Sequence, residues 1–254
     1  MTADDVAASL TSLSTKFSAF DSMSAASRDA MAKTAAEYKN AGVEFEDFAA
    51  LNERLRFSFG KMGSGASLAA EKIKSIAQET GRPLSSVVSA LNDIGPELGR
   101  FGSQGIKVFE GLAMRARSLG LGIKEAFDIS ELFDTFEGAA NIAGRLNAQL
   151  GLQLNSVEIM RASSEERLDI LRSEFQLQGK NFETMGRRQK QMVAGILGRS
   201  IEETAKVFGD GMDITAFRAE ESTQDKLIKS QDKVAAAMQR LTENLPIVKA
   251  MGGM

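Results

Sequence analysis

A glycine followed at three-residue steps by two apolar residues recurs along this chain, as Gly42-Phe45-Phe48, Gly81-Leu84-Val87, Gly151-Leu154-Val157 and Gly179-Phe182-Met185, with looser versions at Gly120-Ile123-Phe127 and Gly198-Ile201-Ala205. A glycine just past a helix end accepts the left-handed backbone that other residues resist, and the next apolar residues start a helix folded back on the last. Gly42, Gly81, Gly120, Gly151, Gly179 and Gly198 are therefore expected to be structural corners. β-branched runs with two-residue alternation are almost absent, and the only prolines are Pro83, Pro96 and Pro246. The pattern predicts an all-α fold: an irregular bundle of short helices joined by glycine corners, with longer terminal helices capable of coiled-coil packing.

Start signals follow several corners. In Ser163-Ser-Glu-Glu166 and Ser200-Ile-Glu-Glu203 a serine can cap the helix and the glutamate three residues on can answer it; Asn155 to Glu158 is a looser version. Helices are expected at 3–20, 24–41, 45–60, 67–80, 84–94, 103–119, 123–129, 131–150, 156–161, 164–178, 182–197, 201–208 and 213–244. Corner spacing shrinks from 39 residues to 19, which argues against a uniform solenoid. Three regions follow: an amino-terminal hairpin or coiled coil at 1–62, a helical bundle at 63–210, and a long carboxy-terminal helix at 211–254 that is a candidate for oligomerisation.

Both ends carry seams. Val6, Leu10, Leu13, Phe17 and Phe20 fall at alternating four- and three-residue steps, and Met31, Ala35 and Tyr38 offer a partner face. The stretch before Pro246 places Leu227, Gln231, Val234, Met238, Leu241 and Leu245 on one stripe, with glutamines that weaken a seam but can set its register. This is the candidate oligomer seam. It makes a homo-oligomer, trimer or hexamer, the expected state.

Several chemistries are disfavoured. The 254 residues are 43% hydrophobic and 26% charged, the composition of a folded soluble chain, and the net charge of −3 leaves no basic excess for specific nucleic-acid binding. Cysteine and histidine are both missing, which removes thiolate sites, the commonest metal ligand and the usual base of a catalytic serine. No uncharged apolar run approaches the roughly 18–20 residues that span a bilayer, and the acidic start MTADDVAASL does not resemble a signal peptide.

The remaining polar groupings have structural explanations. Asp4-Asp5, Glu44 with Glu46 and Asp47, Glu165-Glu166 and Glu202-Glu203 sit at expected helix starts, where negative charge meets unpaired N–H groups. Arg187, Arg188 and Lys190 are expected to point away from the face formed by Phe182, Met185, Val193 and Ile196. GKMGSGAS lacks the Gly-Lys-Ser/Thr ending of a phosphate loop and no strand precedes it. No catalytic, cofactor-binding or metal-binding residue is assigned, no cofactor is called for, and an enzyme is not expected.

One segment is more specific. The stretch from Leu132 to Gly209 carries Phe133, Phe136, Ala139, Ala140, Ala143, Leu146-Asn147 and Leu150-Gly151, followed by Glu158-Ile-Met160, Glu166-Arg-Leu168, Phe182 and Ala194-Gly195-Ile196. In this order it resembles a segment of the tail tape measure proteins of long-tailed bacteriophages, especially large contractile-tailed ones. The likeness extends more faintly back to about Gly42. It implies a virion component in the tail, present in the host cytoplasm during assembly, that helps set tail length and contacts tail tube and baseplate hub proteins. Family members are usually much longer, with extended rods, so the resemblance implies a module of a larger whole. The alternative expectation is a soluble helical adaptor or assembly chaperone not resident in a virion.

Overall fold

The computed structural model describes residues 11–61 and 63–209. They are all-α: residues 11–16 are helical, and then come α1 (Ala25–Asn40), α2 (Phe45–Phe57), α3 (Ser64–Thr80), α4 (Leu84–Leu98), α5 (Gly105–Leu119), α6 (Ile123–Glu131), α7 (Phe136–Leu150), α8 (Ser156–Arg161), α9 (Ser164–Leu177), α10 (Arg187–Leu197) and α11 (Ile201–Phe208). Short 3-10 turns occupy Phe20–Ser22 and Gly99–Gln104. No strand occurs among the described residues. The helices form an irregular bundle around one apolar core.

The expected corner glycines all have positive φ. At five of them the turn closes by two hydrogen bonds back into the helix. After α3, for example, the Gly81 N–H donates to the Gln78 carbonyl at 3.1 Å and the Arg82 N–H to the Ala77 carbonyl at 3.0 Å. This pairing satisfies carbonyls that a helix end otherwise leaves bare, and only glycine takes the required backbone without strain. Gly42, Gly120, Gly179 and Gly198 close the same way, whereas Gly151 makes the single bond of the simpler left-handed cap, to the Asn147 carbonyl at 2.8 Å.

Regular order is present where uneven spacing argued against it. Gly42, Gly81 and Gly120 are 39 residues apart, and three helical hairpins, α1–α2, α3–α4 and α5–α6, repeat at that period. α3 packs on α5, α2 on α4 and α4 on α6, so the second helices form one layer and α3 and α5 another, to which α1 is tied by the Tyr38 and Glu37 side chains. Buried positions recur in step: Leu55, Ile94 and Phe133; Phe48, Val87 and Ala126; Tyr38, Ala77 and Ala116. The linkers repeat too. Gly63 (φ 55°, ψ −127°) and Gly102 (φ 52°, ψ −128°) share a conformation open only to glycine. The first three hairpins are thus a short two-layer stack, and only the later, closer corners break it.

Side chains tie neighbouring hairpins at the same interval. Arg117 donates to the Glu79 carbonyl at the end of α3, and Arg82 donates to the Leu121 carbonyl past the end of α5, so adjacent corners cap each other reciprocally. Lys72 on α3 pairs with Glu110 on α5. Packing crosses residue 62 without a break: the buried Tyr38 hydroxyl donates to the Ala70 carbonyl at 2.7 Å, and Lys74 pairs with Glu37 at 2.7 Å. Burial raises the Tyr38 hydroxyl pKa well above its ordinary value, with Glu71 and Glu37 adding to the shift.

Three expected helices change. The described part of the first ends at Lys16, and its polar ties run to α2, where Glu53 accepts from the Ser18 N–H at 3.3 Å and Arg56 donates to the Ser18 hydroxyl at 2.6 Å. The helix expected at 131–150 divides: α6 ends at Glu131 and α7 starts at Phe136, because Thr135 is extended and its hydroxyl caps the Gly138 N–H at 3.1 Å. The helix expected from 182 begins only at Arg187. Asn181 accepts from the Glu183 and Thr184 N–H groups to make a separate turn, and the extended backbone at Gly186 stops that turn from joining α10. In the other direction α4 runs past its expected end at Ile94 to Leu98, with Pro96 inside it. The helix expected at 213–244 lies outside the described residues.

Candidate functional site

The densest polar arrangement lies where α9 meets the end of the hairpin stack, inside the segment singled out by its resemblance. α9 packs on α5, α6, α8 and α11. Its buried face carries Leu168, Leu171 and Phe175, but also Arg167, Asp169 and Arg172. Three ionised side chains on a buried face are costly unless each is matched.

Arg167 is matched by a set of acceptors spread over three elements. Its Nε donates to the Ile159 carbonyl at 3.2 Å, Nη2 to the Met160 carbonyl at 3.0 Å and Nη1 to the Ser130 carbonyl at 3.0 Å; Nη1 and Nη2 both reach Asp134 Oδ1 at 3.3 Å. The three carbonyls belong to the last turns of α6 and α8; Ser130 and Ile159 each also accept one backbone bond, from the Phe133 and Ala162 N–H groups at 3.2 Å, and the guanidinium fills their second acceptor position. One planar guanidinium therefore closes two helix ends from a third helix. Asp134 extends the network outward to Arg100 at 3.0 Å, and Arg100 also pairs with Glu131. That hydrogen bond with Glu131, outweighing partial burial, raises the Arg100 pKa above its ordinary value.

A second tie lies deeper. Arg115 on α5 donates through Nη2 to Asp169 Oδ2 at 2.7 Å, with both side chains more than nine-tenths buried. Arg172, at 1% exposure, completes the charged strip on α9. Positions 164, 168, 171, 172 and 175 share one face, so an arginine at 172 among Leu168, Leu171 and Phe175 was the visible signal that this face is not purely hydrophobic.

The carboxylates noted in the sequence are distributed rather than convergent. Glu166 and Glu203 complete capping boxes with Ser163 and Ser200. Glu44 precedes α2 and pairs with Lys39. Arg187 and Arg188 are exposed at the start of α10, and Lys190 donates to the Glu183 carbonyl at 2.8 Å. Among the described residues no group of three or more acidic side chains is placed to hold a metal ion, and no helix is long and apolar enough to cross a membrane. Asp4-Asp5 and the seam Leu227, Gln231, Val234, Met238, Leu241 and Leu245 lie outside the described residues.

One capping box makes a pH-dependent prediction. The Ser200 N–H donates to Glu203 Oε2 at 2.8 Å and the Glu203 N–H to the Ser200 hydroxyl at 3.1 Å. The backbone bond first, then the hydroxyl, holds the Glu203 carboxyl below its ordinary value of 4.5. A depressed folded-state pKa means the box contributes fully above pH 4.5 and is lost as pH falls through the lower folded value. Carboxyl NMR titration is expected to show Glu203 titrating below 4.5, and Ser200→Ala is expected to move it back toward that value.

The arrangement as a whole presents no nucleophile beside a base and no open metal set among the described residues; its guanidinium groups bind protein carbonyls and carboxylates. What it does is hold helices. No family model, curated protein or solved structure matches the chain.

Proposed function

We propose that the chain is a structural, non-enzymatic module of a phage tail tape measure protein, which helps set tail length and contacts tail tube and baseplate hub subunits. The observation that carries the reading is the state of the resembling segment: residues 132–209 fold into short capped helices whose buried charges are spent on internal ties. Phe133, Ala139, Ala143 and Leu146, which carry the resemblance, are buried in that packing. Phe136 and Leu177, 60% and 79% exposed, supply apolar contact surface on the same segment. The seam from Leu227 to Leu245 supplies the homo-oligomeric contact in this reading, as a trimer or hexamer.

The test is genetic and structural. Deleting residues 64–102 in frame removes one 39-residue hairpin unit. In the phage encoding the chain, tails measured by electron microscopy are expected to be shorter than in the parent. Tails of unchanged length would sink the ruler role. If mass spectrometry also finds the protein missing from purified virions, an assembly chaperone or adaptor replaces the tail component.

A further inference from the structure

The first interface of the hairpin stack contains a cavity. Between α1, α2, the amino-terminal half of α3 and residues 17–23, packing leaves about 420 Å³, within the roughly 300–1,000 Å³ of small-molecule sites. Phe17, Met23, Met31, Phe48, Ala66 and Ala70 form its apolar wall. The repeat explains the space. The positions 39 residues beyond Ala66 and Ala70 are Gly105 and Phe109, where Gly105 sits directly against the Phe59 ring and Phe109 is fully buried. An alanine at 70, where the next unit has a fully buried phenylalanine, supplies a much smaller side chain to this wall.

The charge on the wall is one-sided. Arg56 and Lys61 line the cavity and no aspartate or glutamate does. Arg56 donates to the neutral Ser18 hydroxyl, and neither cation has a carboxylate partner among the described residues. Two cations outside ion-pair distance of any described carboxylate, beside an adaptable, methionine-lined apolar space, match a ligand with an apolar body and an anionic head; Glu53, which accepts from the Ser18 N–H, is the nearest acid tied to Arg56, through Ser18.

We propose that this cavity binds an anionic amphiphile, an alkyl chain ended by a carboxylate or phosphate. The tail lies against Met23, Met31 and Phe48, and the head is held by Arg56 and Lys61. The site is independent of the proposed tail role.

The full chain, carrying ¹³C-methyl methionine, is titrated in parallel with decanoate, decyl phosphate and decan-1-ol. At least one anion is expected to shift the Met23 and Met31 methyl signals saturably at one equivalent, binding at least about tenfold more tightly than the alcohol. The tighter anion identifies the head group. Arg56→Gln combined with Lys61→Gln is expected to bring anion binding down to the level of the alcohol. Ala30→Phe, at an exposed position that lines the cavity, is expected to abolish binding with helicity unchanged by circular dichroism, and Ala66→Phe provides the same filling from the other wall. No saturable shift at Met23 and Met31 with either anion, decanol binding as tight as the anions, or undiminished binding in folded Ala30→Phe would overturn the proposal.

Discussion

Arg167→Met is expected to lower the unfolding free energy by about 3–5 kcal/mol, measured as a drop in the urea midpoint with unchanged slope. The residue is 6% exposed, and its donors reach the Ser130, Ile159 and Met160 carbonyls and Asp134. Methionine refills the volume but donates nothing. The Met160 carbonyl then loses the Arg167 donor, at about 1–3 kcal/mol if it is left unsatisfied, the Ser130 and Ile159 carbonyls keep one backbone donor each, and Asp134 loses a guanidinium partner. Arg167→Lys distinguishes geometry from charge: one ammonium cannot span acceptors on α6, α8 and the segment between α6 and α7, so lysine is expected to recover less than half of the loss. Full recovery by lysine would show that charge alone, not the planar fork, holds these helix ends.

The deep ion pair behaves differently because both partners are shielded from water. Asp169→Leu leaves the Arg115 guanidinium buried without its carboxylate and is expected to cost about 3–5 kcal/mol. Arg115→Met added to it removes the other member of the pair, and the double variant is expected to be more stable than Asp169→Leu alone. Denaturation of the four proteins gives the coupling directly. A double variant as unstable as the single one would mean that the pair is needed for the packing of α9 on α5 beyond its own charge balance.

These two arginines also mark the limit of what periodicity reveals. Gly81 and Gly120 announced themselves because a left-handed backbone after a helix has a residue-specific cost, and Ser163 and Ser200 did so because a cap needs its oxygen at one fixed position. The 39-residue repeat was equally present, in the columns Leu55, Ile94, Phe133 and Phe48, Val87, Ala126, but was hidden when corners of both spacings were taken together. The breaks at Thr135 and Gly186 were missed because a continuous apolar stripe can be cut by one extended residue without changing composition. Arg167 and Asp169 resemble the solvent-facing charges on any helix until the opposing surfaces are known.

Local backbone energetics therefore determined the all-α class, the corners and most helix starts, since each depends on residues within one turn of one another. Which layer a helix joins, which charges are buried and where a cavity remains were decided only by tertiary packing. Those outcomes depend on groups 31 to 54 residues apart, such as Arg100 with Glu131 and Arg115 with Asp169, whose meeting no local preference encodes.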